Sequence, residues 1–299
     1  MKRLSRDQYT TTLDRTVAPK LVVDSGEEVE VETWDAFMGV WDVGGTRDIV
    51  GPMAGPIAVR GAAPGDALKV ELLEIRPIDV APGRSALHNT SRSHGFLKAE
   101  FDRHNPIVLE IRDGHILFPG GIRIPVNPSV GFIATTFTEP QKTTSDSGPY
   151  GGDIDMKELT AGSTIWLPVF VPDALLCLGD VHAVVGDGCV GGTAAECCAR
   201  VRFRVSIEKN AKLKRPRVLT REHVITVCYG EDVGEAMKQS VRDMVQYLAD
   251  EKRMDPYDAY ALLSLAGDVR ISRTFRPISP VKMMLSRRVL DQIEAPRGK

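Results

Sequence analysis

The chain has 299 residues, 42% of them apolar, with 38 basic against 40 acidic side chains and a net charge of −2. That balance offers no cationic face to nucleic acid or to an anionic membrane, and the length suits one large domain or two ordinary ones. The most apolar stretch, Ile165 to Leu178, is broken by Pro168, Pro172 and Asp173, so no bilayer span is expected.

The first residues carry charge without a following apolar run, which predicts no secretory leader. Cys177, Cys189, Cys197, Cys198 and Cys228 form no CxxC pair, and two of them are adjacent. Reduced thiols and a cytoplasmic location are the expectation. Strands come first along the chain. Leu21–Val23, Glu28–Thr33, Ile57–Arg60 and Ala67–Ile75 alternate apolar with polar residues, as half-buried strands do. Asp24-Ser25-Gly26, Gly51-Pro52 and Ala63-Pro64-Gly65-Asp66 supply the turns between them.

Ile107–Arg112, His115–Phe118 and Val130–Phe137 continue the β series. The last of these, like Ile165–Val171, is apolar at nearly every position, as expected of burial on both faces. In Ala199–Ile207 three arginines (200, 202 and 204) face away from Val201, Phe203 and Val205, which reads as a solvated outer face rather than an anion site. The basic run Lys209–Arg217 reads as a solvated linker. Near Glu231 the period changes. Val233, Ala236, Met237, Val241, Met244, Val245 and Leu248 recur every three or four residues and predict an amphipathic helix over Val233–Ala249. A second helix starts with Asp255 as N-cap and Pro256 at its first position, and ends at Gly267 as a C′ residue. The expected organisation is a β-rich body over 1–230, carrying a glycine-rich segment 148–196, with a helical layer and C-terminal strand over 231–299 packed on it.

Segment 148–196 holds Gly151-Gly152-Asp153, Gly179-Asp180, Gly186-Asp187-Gly188 and Gly191-Gly192. Each Gly-Asp puts a carboxylate on a tight turn that a ligand can approach closely. Asp180 and His182 are two apart, so in extended chain they share a face and can grip one cation; Asp153 and Asp155 repeat the spacing. A hard or borderline divalent metal suits such a set. Gly-Asp is also ordinary turn chemistry, and a binding-only module would use the same carboxylates. The remaining histidines, His88, His94, His104, His115 and His223, read as surface or capping residues, with His88 and His94 placed to cover a neighbouring site. Trp34 and Trp41 flank Asp35 and either wall a small pocket or pack in the core.

The runs GGDIDMKELTAGSTIWLPVFVPDALLCLGDVHAVVGDGC and GGTAAE resemble the acetamidase/formamidase family of amide hydrolases. VVDSGEEVEVETWDAF and PGGIRIPVNPSVGFIA upstream and DAYALLSLAGDVRISR downstream extend the resemblance over residues 15 to 275. It implies a mainly β fold with a smaller α/β part: jelly-roll-like and barrel-like β portions plus two C-terminal helices. It also implies a divalent metal ion, zinc or calcium, a small-molecule amide substrate and a homo-oligomer, dimer or higher. Carried over position by position, Asp35, Asp180 and His182 are the metal ligands. Glu196 and Asp187 fall at catalytic positions, and Asp153 and Trp34 stand on the substrate side. Metal and carboxylate together would polarise the carbonyl and move a proton from water to the departing nitrogen.

Two positions depart from the family's pattern. Asp153 stands where asparagine is usual, and Cys189 where the family has Gly-Asp-Gly-Glu. The expected activity is a metal-assisted amidohydrolase on linear carbon–nitrogen bonds that releases ammonia. Cys189 leaves two alternatives open: a same-fold hydrolase or lyase on another small substrate with this thiol as nucleophile, or a non-catalytic small-molecule binder. The other four cysteines read as packing.

Overall fold

The computed structural model describes residues 1–39, 51–90, 95–101, 105–139 and 142–293. As expected, the fold is mainly β, with 45% of residues in strands and two helices near the C-terminus ahead of a final short turn of helix. The strand Glu28–Thr33 shows why alternation was readable. Val29, Val31 and Thr33 are buried while Glu28, Glu30 and Glu32 point outwards. Its neighbour Glu196–Glu208 runs antiparallel to it, setting Arg200, Arg202 and Arg204 opposite Glu32, Glu30 and Glu28. Arg200 reaches Glu32 at 2.8 Å and Arg204 reaches Glu28 at 2.5 Å, so the arginine row is a cross-strand charge ladder on a half-exposed face.

Where both faces are buried, the pattern and the strand part company. Met53–Val59 is buried at every residue, so no polar position marks its beginning, and the expected Ile57–Arg60 covers only its last part. The strand expected over Val130–Phe137 stops at Ala134. The Thr135 and Thr136 hydroxyls then donate to the carbonyls of Pro168 and Leu175, replacing ladder bonds. The strand Thr164–Pro168, paired with Ala67–Ile78, stops at its proline, short of the expected Val171.

The first helix runs Val233–Lys252, capped by the Asp232 carboxylate on the Glu235 N–H. It lays Met244 and Leu248 against Val224, Met283 and Leu285 of the sheet. Asp255 caps the second, Pro256–Ala266, by accepting from the Tyr257 and Asp258 N–H groups. Gly267 does end that helix, but in extended rather than left-handed backbone (φ −102°). A Cβ there would stand 2.1 Å from Met283 Cε and 2.8 Å from the Leu263 carbonyl, so close approach is what demands the glycine. Among the described residues no helix is long and apolar enough to cross a membrane.

One strand positions the site. Glu196–Glu208 pairs along most of its length with Glu28–Thr33 and Ala67–Ile78. Its first residues instead join a second sheet, where Cys197 faces Val181 and Glu196 faces His182 on the strand Leu176–His182. Glu196 therefore sits at the seam between the two sheets, directly opposite the histidine of the Asp-x-His pair.

Candidate active site

The geometry begins at Gly131, in the strand Ser129–Ala134 between Gly151–Asp153 and Leu176–His182. A Cβ on residue 131 would lie 2.6 Å from the Asp180 carbonyl, 2.6 Å from His182 Cε1 and 2.9 Å from Asp180 Oδ2. No other side chain leaves room for those two groups. The Gly131 carbonyl also accepts from both Ile154 N (2.9 Å) and Asp155 N (3.0 Å), fixing the turn that delivers Asp155. Asp155 and Asp180 are both left-handed, with φ of 52° and 51°, a conformation aspartate tolerates better than most residues. Val130 pairs with Val181 and Phe132 with Gly179, while Asp180 itself drops out of the register. Its carboxylate is thereby turned towards His182 rather than set by simple strand alternation.

Around His182 Nε2 lie Glu196 Oε2 at 3.3 Å, Asp180 Oδ2 at 3.5 Å and Asp155 Oδ1 at 3.8 Å. The ligating atoms of Asp155, Asp180 and His182 all fall within 4.8 Å of one another. The other Glu196 oxygen accepts from the Ala194 N–H at 2.7 Å. Burial raises the carboxyls of Asp153, Asp155 and Asp180 above the usual range. Burial works against a charged His182, but the Glu196 and Asp180 carboxylates outweigh it and hold the imidazole well above its ordinary value.

These residues fit a divalent cation. Asp155 Oδ1, Glu196 Oε2 and His182 Nδ1 are buried without a hydrogen-bond partner among the described residues, and buried acids crowded together are costly without a cation. Oxygen with imidazole nitrogen is a donor set for a hard or borderline ion and does not choose between zinc and calcium.

The other predicted residues lie outside the group around His182, though Asp153 and Cys189 line the same cavity. Asp153 is buried and hydrogen-bonded to the Arg273 guanidinium, which also donates to Ser147 Oγ (3.2 Å) and the Ile278 carbonyl (3.0 Å). The Asp35 carboxylate closes its own turn, accepting from Phe37 N at 2.8 Å and Gly39 N at 2.9 Å, with the Cys198 thiol at 3.3 Å. Asp187 pairs with Lys282 at 2.6 Å and Lys157 at 2.7 Å. Burial raises its pKa, but those two ammonium groups outweigh it and hold the carboxyl below its usual range. Trp34 lies under the Arg6 guanidinium, 4.2 Å from the ring centroid. Cys189 lines the cavity at the cluster; burial first, then the neighbouring carboxylates, push its thiol well up, which favours the neutral form. His88 Nδ1 lies 3.2 Å from the Ala194 carbonyl, bracing the loop whose N–H holds Glu196. Trp41, His94 and His104 fall outside the described residues.

Sequence reasoning noticed Asp155 only as half of an Asp-x-Asp repeat. Arg273, Phe275 and Arg276 it passed over: the last two line the cavity from a segment more than 75 residues beyond Glu196 in the chain, with no motif to announce them.

Comparison with known proteins supports the fold. The profile of the Acetamidase/Formamidase family matches residues 13–146 and 134–276. A putative formamidase of Schizosaccharomyces pombe is 28% identical over 253 residues, 63% of this chain, which spans 61% of that relative's length. Two crystal structures superpose closely. A predicted acetamidase/formamidase from the thermophile Thermoanaerobacter tengcongensis is 30% identical with a TM-score of 0.91, over 98% of this chain and 97% of that one. An acetamidase from Bacillus halodurans is 28% identical with a TM-score of 0.90, over 97% and 99%.

Proposed function

The chain belongs to the acetamidase/formamidase family, and from that premise we propose that it hydrolyses a small linear amide to ammonia and a carboxylate with the help of a divalent ion. The observation that carries this reading is the gathering of Asp155, Asp180, His182 and Glu196 in one buried cavity, with an unsatisfied polar atom on three of them. Names among its relatives, formamidase and acetamidase, support an amide as the substrate.

Asp155, Asp180 and His182 hold the ion in this reading, Asp155 taking the place first given to Asp35. Zinc and calcium remain the candidates. A divalent ion bound there supplies Lewis-acid polarisation of a carbonyl and makes water more acidic. Glu196 does the proton transfer. Its Oε1 is fixed by the Ala194 N–H, which leaves Oε2 to take a proton from water and pass it to the departing nitrogen. Water thus gives its oxygen to the acyl carbon as the carbon–nitrogen bond breaks, and its proton leaves with ammonia. Asp153, held by Arg273 at the cavity edge, is the polar group on the substrate side, whereas Trp34 and Asp187 are assigned structural positions. Cys189 serves as cavity wall.

We place the reaction in the cytoplasm, a reading supported by five cysteines that are all free and buried. The family resemblance further suggests a homo-oligomer. Metal analysis of the purified protein, paired with ammonia release from formamide and acetamide, tests the proposal. One bound divalent ion and ammonia lost on chelation are expected; a metal-free protein inert towards every amide sinks it.

A further inference from the structure

The cavity at the cluster has a volume of about 20 Å³, room for one water-sized occupant and not for a whole amide. A substrate must therefore extend past its wall. Cys189 and Thr193 form part of that wall, and the same two residues line a second cavity of about 400 Å³. Leu109 and Ile116 are buried in its floor, Phe118 and Ile124 flank it, and Val190, 63% exposed, marks the rim. Of its ionisable lining groups, the Asp187 carboxylate is already paired with Lys157 and Lys282, and the His88 imidazole, set against the Ala194 carbonyl, is held towards its neutral form by burial. The space therefore recognises hydrocarbon and offers no spare charge to an ionic substituent.

We propose that this second cavity receives the acyl group of the substrate, so that the preferred amides carry an uncharged, apolar acyl chain longer than that of acetamide. The inference rests on the amidase reading and names its substrate class. With the reacting carbonyl at the Asp155–Asp180–His182 cluster, the acyl chain passes Cys189 and Thr193 and lies along Ile116 and Ile124.

Binding separates this inference from turnover. Calorimetric titration of metal-replete Glu196→Gln with acetamide, butyramide and hexanamide is the experiment. Affinity is expected to rise about fourfold for each added methylene. Ile124→Trp, which fills the cavity, is expected to cut the hexanamide-to-acetamide affinity ratio by about tenfold or more. Val190→Asp at the exposed rim shifts the ratio in the same direction without disturbing the packed floor, and so stands in if the tryptophan variant misfolds. Affinity that is flat or falls with chain length overturns the inference. If the unaltered protein still releases ammonia from acetamide, the amidase reading survives that failure. Rising affinity with no ammonia from any amide keeps the acyl cavity and removes the amidase reading. Flat affinity together with a dimer that Val190→Asp dissociates would give the groove to a second copy, which also overturns the inference.

Discussion

Gly179-Asp180 and Gly186-Asp187 are the same dipeptide seven residues apart, yet the two aspartates have opposite electrostatics. Asp187 meets Lys157 and Lys282, and Lys282, fully buried itself, also pairs with Glu158 at 2.6 Å. Its carboxyl is held below the usual range. Asp180 meets Asp155 and Glu196 about a single imidazole, and its carboxyl is pushed up. One region closes its own charge balance with protein cations. The other leaves the balance open, which is the condition for holding a cation from outside.

That contrast can be broken by mutation. The largest effect is expected at Glu196→Gln, which keeps the shape but removes the proton acceptor; kcat for amide hydrolysis should fall by about 10² to 10⁴ with the thermal midpoint nearly unchanged. Steady-state ammonia release alongside calorimetry checks both halves. Next comes Lys282→Met in the closed region, which takes the ammonium from Glu158 and leaves Asp187 with Lys157 and the more distant Arg270. Removing one partner of a buried pair costs about 3–5 kcal/mol, and the lower end applies because the Asp187 side chain is still 25% exposed. Denaturant unfolding should show that loss, with metal content retained in the folded fraction.

Paired Asp→Asn changes should then move stability in opposite directions. Asp180→Asn relieves crowding of like charges and is expected to stabilise the metal-free protein by about 1 kcal/mol while abolishing activity. Asp187→Asn is expected to destabilise. The smallest effect is in the acid limb of stability. A carboxyl lowered on folding contributes above its unfolded pKa, about 3.9, and that contribution is lost as pH falls through the lower folded value. Asp187→Asn should therefore flatten the stability profile below about pH 4. An unchanged slope in urea unfolding from pH 5 to pH 2 would remove Asp187 from the closed network.

Half-buried strands could be read from the sequence because their polar face keeps the alternation, as in Glu28–Thr33 against the arginine row. Met53–Val59 could not, since a strand buried on both faces has no polar position to mark its ends. At the site, the Asp-x-His spacing pointed to two residues that the fold does bring together, Asp180 and His182, and Glu196 came from the resemblance. Asp155 stood out only as half of the Asp-x-Asp repeat, because it lies past the end of the strand Gly151–Asp153 in left-handed backbone, where alternation no longer says what a side chain meets. The ion pairs of Asp187 were out of reach of local spacing altogether. Its partners Lys157 and Lys282 lie 30 and 95 residues away, and only the fold brings them to it. Local spacing shows which atoms can meet one ion, and partners distant in the chain decide whether an ion is needed.

The most direct test is the metal content of four purified proteins: the unaltered chain, Asp180→Asn, His182→Ala and Asp187→Asn. One divalent ion per chain is expected in the unaltered protein and in Asp187→Asn, and none in the other two. An ion retained without His182, or lost with Asp187 alone, would contradict the assignment of the open cluster as the metal site.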